Sequence, residues 1–189
     1  MQRDDPRATA RPPAAAQPPT PAASPGASAA TGGHFLTFLL GDALFATDIQ
    51  VVREIIQHGA MTSVPLMPRF VRGVINLRGA VVPVIDLQAR FGRPPAQIGR
   101  KSCIVVCDVV REGERVELGL LVDAVSAVVQ VDGAAIEPPP AFGAVVRRDF
   151  IRGMVELRKR FVVILDAERL FDVDEMAQLC EAAQEDLTA

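Results

Sequence analysis

The chain has 189 residues, a formal net charge of −3 and a pI near 5.4. Nearly half of it is apolar, yet aromatic residues make up only 5% and there is no Trp or Tyr. The core must therefore be built from Val, Leu and Ile, whose branched side chains suit a pleated sheet. The acidic balance supplies no positive field for a phosphate backbone, so nucleic acid is not an expected partner.

Residues 1–33 hold Ala, Pro, Ser, Gly and Thr with almost no large apolar side chain. Such a segment cannot bury enough surface to offset its ordering entropy and is expected to be a disordered, partly polyproline-like tail. Its Arg3, Arg7 and Arg11 are followed by alanines broken by Pro12, Pro13, Pro18, Pro19, Pro21 and Pro25, so no signal-peptide apolar region forms. No apolar run approaches the roughly 18 residues of a membrane helix. The expectation is a cytoplasmic protein without direct membrane insertion.

From His34 onward, strand signals follow closely. FLTFLL (35–40) and ALFATDI (43–49) flank the turn pair Gly41-Asp42, which predicts a hairpin. VVREIIQ (51–57) comes next. FVRGVINL (70–77) turns at Leu77-Arg78-Gly79 into AVVPVIDL (80–87), with Gly79 free to take positive φ. Pro83 cannot donate to a ladder, which predicts an edge strand or a bulge there. DLQARF (86–91) reads as a short helical turn before Gly92.

The second half repeats the plan. KSCIVVCDVV (101–110) and ERVELGLLV (114–122) predict a hairpin, AVSAVVQV (124–131) a strand, and FIRGMVEL (150–157) with RFVVILD (160–166) another hairpin around Arg158-Lys159. AERLF (167–171) predicts a short helix. Asp174 is placed to cap a last helix over 175–187, where Met176, Leu179, Cys180 and Ala183 share one face.

Two of these hairpins correspond at a fixed offset of 80 (151 − 71). Phe70/Phe150, Arg72/Arg152, Gly73/Gly153, Leu77/Leu157, Arg78/Arg158, Val82/Val162, Asp86/Asp166 and Phe91/Phe171 are identical pairs. A weaker echo aligns Asp48 with Asp123. The pattern predicts an all-β fold of two small five-stranded β-barrels, SH3- or OB-like, made by internal duplication, with short helices and a C-terminal helix. The expected layout is a tail over 1–33, one domain over 34–180 with subdomains near 34–98 and 99–172, and a terminal helix and tail over 173–189.

Signals of catalysis are weak. The two histidines, His34 and His58, lie far from any Cys in sequence, and no nucleophile elbow, P-loop or dinucleotide motif is present. Cys103 and Cys107 would face one side of a strand about 13 Å apart at ~3.3 Å per residue, too far to share one disulfide or metal ion. No enzyme activity, cofactor or metal is expected. The polar residues that stand out sit on strands. Period-two alternation puts Arg72, Asn76 and Arg78 on one face and Val71, Gly73, Ile75 and Leu77 on the other. Gly73 and Gly153, mid-strand on the apolar face, predict close packing or bulges.

With GDALFATDIQVVREI followed by FVRGVINLRGAVVPVIDLQARF, the chain resembles the CheW family of chemotaxis coupling proteins. LGLLVDAVSAVVQV and FIRGMVEL extend the resemblance into the second half, from about Phe35 to Leu179. It implies two barrels that exchange strands, and a non-catalytic adaptor. The implied partners are the chemotaxis histidine kinase, through its regulatory domain, and the cytoplasmic tip of a chemoreceptor, at membrane-associated arrays. The receptor's helical hairpin would enter a groove between the barrels. Carried over by motif, Glu54 and Arg78 are tied to receptor coupling. Val52, Asn76, Gly79, Cys103, Ile104, Gly119 and Val125 fall in segments near the groove, while the resemblance assigns no kinase-binding residue. The second hairpin departs from the first, with Arg158-Lys159 where the first has Arg78-Gly79. The alternative reading is a tandem β-barrel module that binds peptide or nucleic acid and is unrelated to chemotaxis. It would need aromatic platforms and a basic groove.

Overall fold

The computed structural model describes residues 31–65, 67–111, 113–139 and 146–170. The predicted C-terminal helix and most of the N-terminal tail lie outside these. Ten strands follow in order: β1 (Gly33–Leu40), β2 (Ala43–Asp48), β3 (Val52–Gln57), β4 (Val71–Leu77), β5 (Ala80–Asp86), β6 (Cys103–Arg111), β7 (Glu114–Val122), β8 (Ala124–Val131), β9 (Ile151–Leu157) and β10 (Arg160–Leu165). Two one-turn helices, α1 (Leu87–Arg90) and α2 (Ala167–Leu170), follow β5 and β10.

The strands form two five-stranded sheets of identical plan. Sheet 1 runs β8-β1-β2-β10-β9 and sheet 2 runs β3-β6-β7-β5-β4. Each draws strands from both halves of the chain. The first hairpin, β1–β2, lies in sheet 1, while β3 crosses into sheet 2. The β6–β7 hairpin lies in sheet 2, while β8 crosses back. Parallel pairs, β10 with β2 and β5 with β7, tie the exchanged hairpins in place. Interior strand β5 therefore carries Pro83, which is not at an edge. Its missing N–H is tolerated because pairing with β7 begins only at Val84.

Each sheet curls until its two outer strands meet. Just past β3, Thr62 exchanges two backbone hydrogen bonds with Val74 of β4, 2.9 and 2.8 Å. Just past β8, Glu137 exchanges two with Met154 of β9, 2.8 and 2.7 Å. These bridges satisfy edge groups that would otherwise template pairing with another chain. Gly73 and Gly153 are where the bridges cross. A Cβ on Gly73 would sit 2.5 Å from the Thr62 carbonyl oxygen; one on Gly153 would meet Ile136 and lie 3.0 Å from the Glu137 oxygen. The ladders are also bulged there, at Arg72 and Arg152, so both expectations for these glycines hold.

The strand faces divide between three apolar clusters. Ile75, Val82, Val84, Ile104, Val106 and Leu121 fill sheet 2, and Phe35, Ala46, Val155, Val162 and Ile164 fill sheet 1. The largest cluster lies between the sheets, with Leu36, Phe38 and Phe45 from sheet 1 against Cys103, Val105, Cys107, Leu118 and Leu120 from sheet 2. Cys103, Val105 and Cys107 thus face the shared core while Ile104 and Val106 face their own barrel. Over residues 103–107, strand β6 is buried on both faces, which is why that stretch is a continuous apolar run rather than an alternation.

Both duplicated hairpins turn through two residues at positive φ, Arg78 (53°) with Gly79 (89°) and Arg158 (51°) with Lys159 (64°). This is the type I′ turn that matches strand twist. Lysine at the second position is strained. Lys159→Gly relieves a cost of about 1–2 kcal/mol for a left-handed L-residue against about 0.5–1 kcal/mol of glycine chain entropy. A melting temperature raised by roughly 2 °C is expected in a thermal scan, and a fall would show that the Lys159 side chain contributes contacts of its own.

Candidate functional site

Sheet 2 is closed at one end by an ion pair as well as by the Thr62 bridge. Glu54 on β3 and Arg78 in the β4–β5 turn meet at 3.1 Å, Arg78 Nη2 donating to Glu54 Oε2. β3 and β4 are the two outer strands of this sheet, so the pair spans the seam where the barrel shuts. The turn is fixed locally by the Asn76 side-chain oxygen, which accepts from the Gly79 backbone N–H at 3.0 Å. Arg78 is 70% exposed and Glu54 22%. Solvent screening at Arg78 leaves the pair about 0–1 kcal/mol of fold stability. The second carboxylate oxygen, Glu54 Oε1, is buried and has no hydrogen-bond partner among the described residues. Val81 follows the turn with its side chain in solvent.

The nine residues singled out from the sequence fall into three groups. Glu54, Asn76, Arg78 and Gly79 gather at this closed end. Val52, Cys103 and Val125 lie along the shared core between the sheets. Burial pushes the Cys103 thiol up, partly opposed by a hydrogen bond with the Val125 backbone, so these two are neighbours. Ile104 and Gly119 lie inside sheet 2, where a Cβ on Gly119 would come within 2.8 Å of the Ile104 side chain. Their effect on any surface is through packing. Burial also pushes the Cys107 thiol up to about 12, helped by neighbouring Asp108, so Cys107 is an inert core residue.

Several polar arrangements were not evident from the sequence. Arg53 reaches Glu117 and Asp108, which stand directly opposite on β7 and β6 and would otherwise repel. Arg152 pairs with Asp48 at 3.0 Å where the chain leaves sheet 1 for sheet 2. Arg90 is clamped between the rings of Phe70 and Phe150, 4.3 and 4.5 Å from their centroids, with Nε donating to the Leu170 carbonyl. Because Phe70 and Phe150 are duplicated partners from the two halves, one guanidinium ties the halves together. The signal was present as the matched phenylalanines, but their meeting point was not. Among the described residues there is no group of His, Cys, Asp and Glu able to hold a metal ion.

Two duplicated sheets, swapped around one core and presenting charged turns at their closed ends, define a duplicated β-scaffold of the binding type. A profile of the CheW-like domain matches residues 34–175, and the chain belongs to the CheW-like family. It is 40% identical to the probable chemotaxis protein CheW of Rhizobium etli over 74% of this chain and 88% of that one. It is 33% identical to the chemotaxis protein CheW of Klebsiella aerogenes over 81% and 90%. Its fold matches the crystal structure of the scaffolding protein TtCheW from Thermoanaerobacter tengcongensis with a TM-score of 0.69 and 33% identity, covering 76% of this chain and 90% of that one.

Proposed function

We propose that the protein is a non-catalytic, cytoplasmic adaptor that couples chemoreceptors to the chemotaxis histidine kinase in a signalling array. Family membership supports the adaptor role and gives no support to a tandem nucleic-acid module. The observation that carries the site assignment is the Glu54–Arg78 pair at the closed end of sheet 2. It adds little to folding, yet it is held in place by a type I′ turn and by Asn76. Its exposed member is Arg78, while the second Glu54 carboxylate oxygen is buried and unpartnered among the described residues. A charge pair oriented this way suits recognition of a protein partner.

In this reading the receptor's cytoplasmic tip meets Glu54, Asn76, Arg78 and Gly79, with Val52, Cys103 and Val125 lining the seam between the sheets. Ile104 and Gly119 maintain the shape of sheet 2 behind that surface. Arg78→Glu tests the assignment. The variant sets two carboxylates against each other on an exposed turn, so the melting temperature is expected to fall by only a few degrees. Receptor binding, measured by co-sedimentation with receptor-containing membranes, is expected to weaken about tenfold, which is 1.4 kcal/mol. A folded variant that binds receptor like the parent would remove Arg78 from the interface.

A further inference from the structure

The offset of 80 that relates the two hairpins also matches Arg90 with Leu170 (170 − 90), the last residues of α1 and α2. These counterparts meet. Arg90 Nε donates to the Leu170 carbonyl at 3.1 Å. Its guanidinium lies between Phe70 and Phe150, themselves counterparts, at 4.3 and 4.5 Å from the ring centroids. Arg90 thus marks the junction about which the duplicated halves are arranged. Leucine at the matching position of α2 supplies neither charge nor side-chain donor, so the grip comes from one half only.

The short helix α1 carries this grip to a second point. Its start is anchored by the buried Asp86 carboxylate. Two residues before Arg90, the Gln88 side-chain amide donates to Asp123 Oδ2 at 2.9 Å. Asp123 is the one residue between β7 and β8, where the chain leaves sheet 2 for sheet 1. The same carboxylate oxygen accepts from the Gly41 N–H, and the Asp123 N–H donates to the Leu39 carbonyl at 3.0 Å. Val125 follows two residues later and lies beside Cys103. The other crossover is tied differently. Asp48, which matches Asp123, pairs with Arg152 on β9. The α2 residue that matches Gln88 is Glu168, whose carboxylate has no proton to donate to an aspartate.

We propose that Arg90 is a positioning residue for receptor coupling. It acts through α1 and the Gln88–Asp123 hydrogen bond to hold the start of β8, and with it Val125, at the seam between the sheets. A planar guanidinium stacked between two rings restricts orientation as well as distance, which apolar packing alone does not. This rests on the adaptor reading, in which the receptor takes the seam.

Two variants test the path at its two ends. Arg90→Met keeps the length of the stem and removes the charge and the N–H donors, while Gln88→Met removes only the donor to Asp123. Receptor affinity of the parent, both variants and the double variant is measured by co-sedimentation with receptor-containing membranes. The methyl spectrum of each free protein is recorded by NMR. Each single variant is expected to lose about fivefold in receptor affinity. The double variant is expected to lose no more than the worse single, because both break one path. In the free variants the Val125 methyl signals move, while those of Val82 and Val162, inside the two sheets, stay in place. An Arg90 that served folding alone would lower the melting temperature without moving Val125. Receptor affinity of Arg90→Met within twofold of the parent overturns the proposal, as do losses that multiply in the double variant or unmoved Val125 signals. If the parent itself fails to bind receptor, the adaptor reading falls, and the methyl signals alone decide whether Arg90 reaches the seam. Gln88→Met perturbs only the outer end of the path, so the test stands even where Arg90→Met unfolds.

Discussion

Gly73→Leu is expected to lower the melting temperature by about 10 °C or more, from a loss of roughly 3 kcal/mol or more. Two independent obstacles meet at this residue. Its φ is 151°, a conformation open to glycine and strained for any L side chain. A Cβ would also sit 2.5 Å from the Thr62 carbonyl oxygen and 3.1 Å from its carbonyl carbon. Both are backbone atoms, so the clash cannot be relieved by a side chain swinging aside. Relief requires Thr62 to move off Val74, which breaks the two hydrogen bonds that close sheet 2. A thermal scan followed by circular dichroism checks this. An unchanged midpoint would mean that the Thr62–Val74 bridge contributes nothing to the fold.

Asp86→Ala has the second large effect. The Asp86 carboxylate is fully buried and accepts from the Ala89 N–H at 3.1 Å, capping α1, and from the Ala96 N–H at 2.8 Å. Arg72 stands 3.9 Å away on the bulge of β4. Alanine leaves two donors without an acceptor in the interior, each costing about 1–3 kcal/mol, so a loss of about 3 kcal/mol is expected. Asp166 is the duplicated counterpart and provides the comparison. Its side chain is 31% exposed, accepts from Glu168 N–H and pairs with Arg169. Asp166→Ala is expected to cost about 1 kcal/mol, as a partly solvated cap. Denaturant melts of the two variants check the ranking, and equal losses would show that burial does not set the cost.

The pair Asp86/Asp166 also marks how far the sequence could be read. Identity at a fixed offset revealed the duplication, and period-two alternation placed the strands, because both signals are local. Strand partners are not local. Nothing in RFVVILD states that β10 lies parallel to β2, and nothing in AVVPVIDL states that β5 lies between β7 and β4. Pro83 suggested an edge or a bulge, and it is neither, because the sequence does not show where an interior ladder begins. The same limit applied at the site. Glu54 and Arg78 could be singled out as charges among apolar residues, and they meet. Ile104 and Gly119 came with the same motifs, but an apolar residue in a motif looks alike whether it faces a partner or packs inside. The strain at Lys159 was hidden for a different reason, since Arg158-Lys159 is an ordinary polar turn pair until its φ angles are known.

The swapped arrangement also gives a physical basis for coupling. Cluster residues from both sheets share one core, and Arg90 bridges the two halves through Phe70 and Phe150. A closely packed interior transmits displacement rather than absorbing it, so a shift of one sheet is carried to the other through the common core.

The most direct test of the adaptor role is kinase autophosphorylation in a reconstituted mixture of chemotaxis kinase, membrane-bound chemoreceptor and this protein. Stimulation well above the kinase alone is expected only when all three are present, and it should weaken with Arg78→Glu. A folded protein that leaves kinase activity unchanged in the presence of its cognate receptor would contradict the adaptor function.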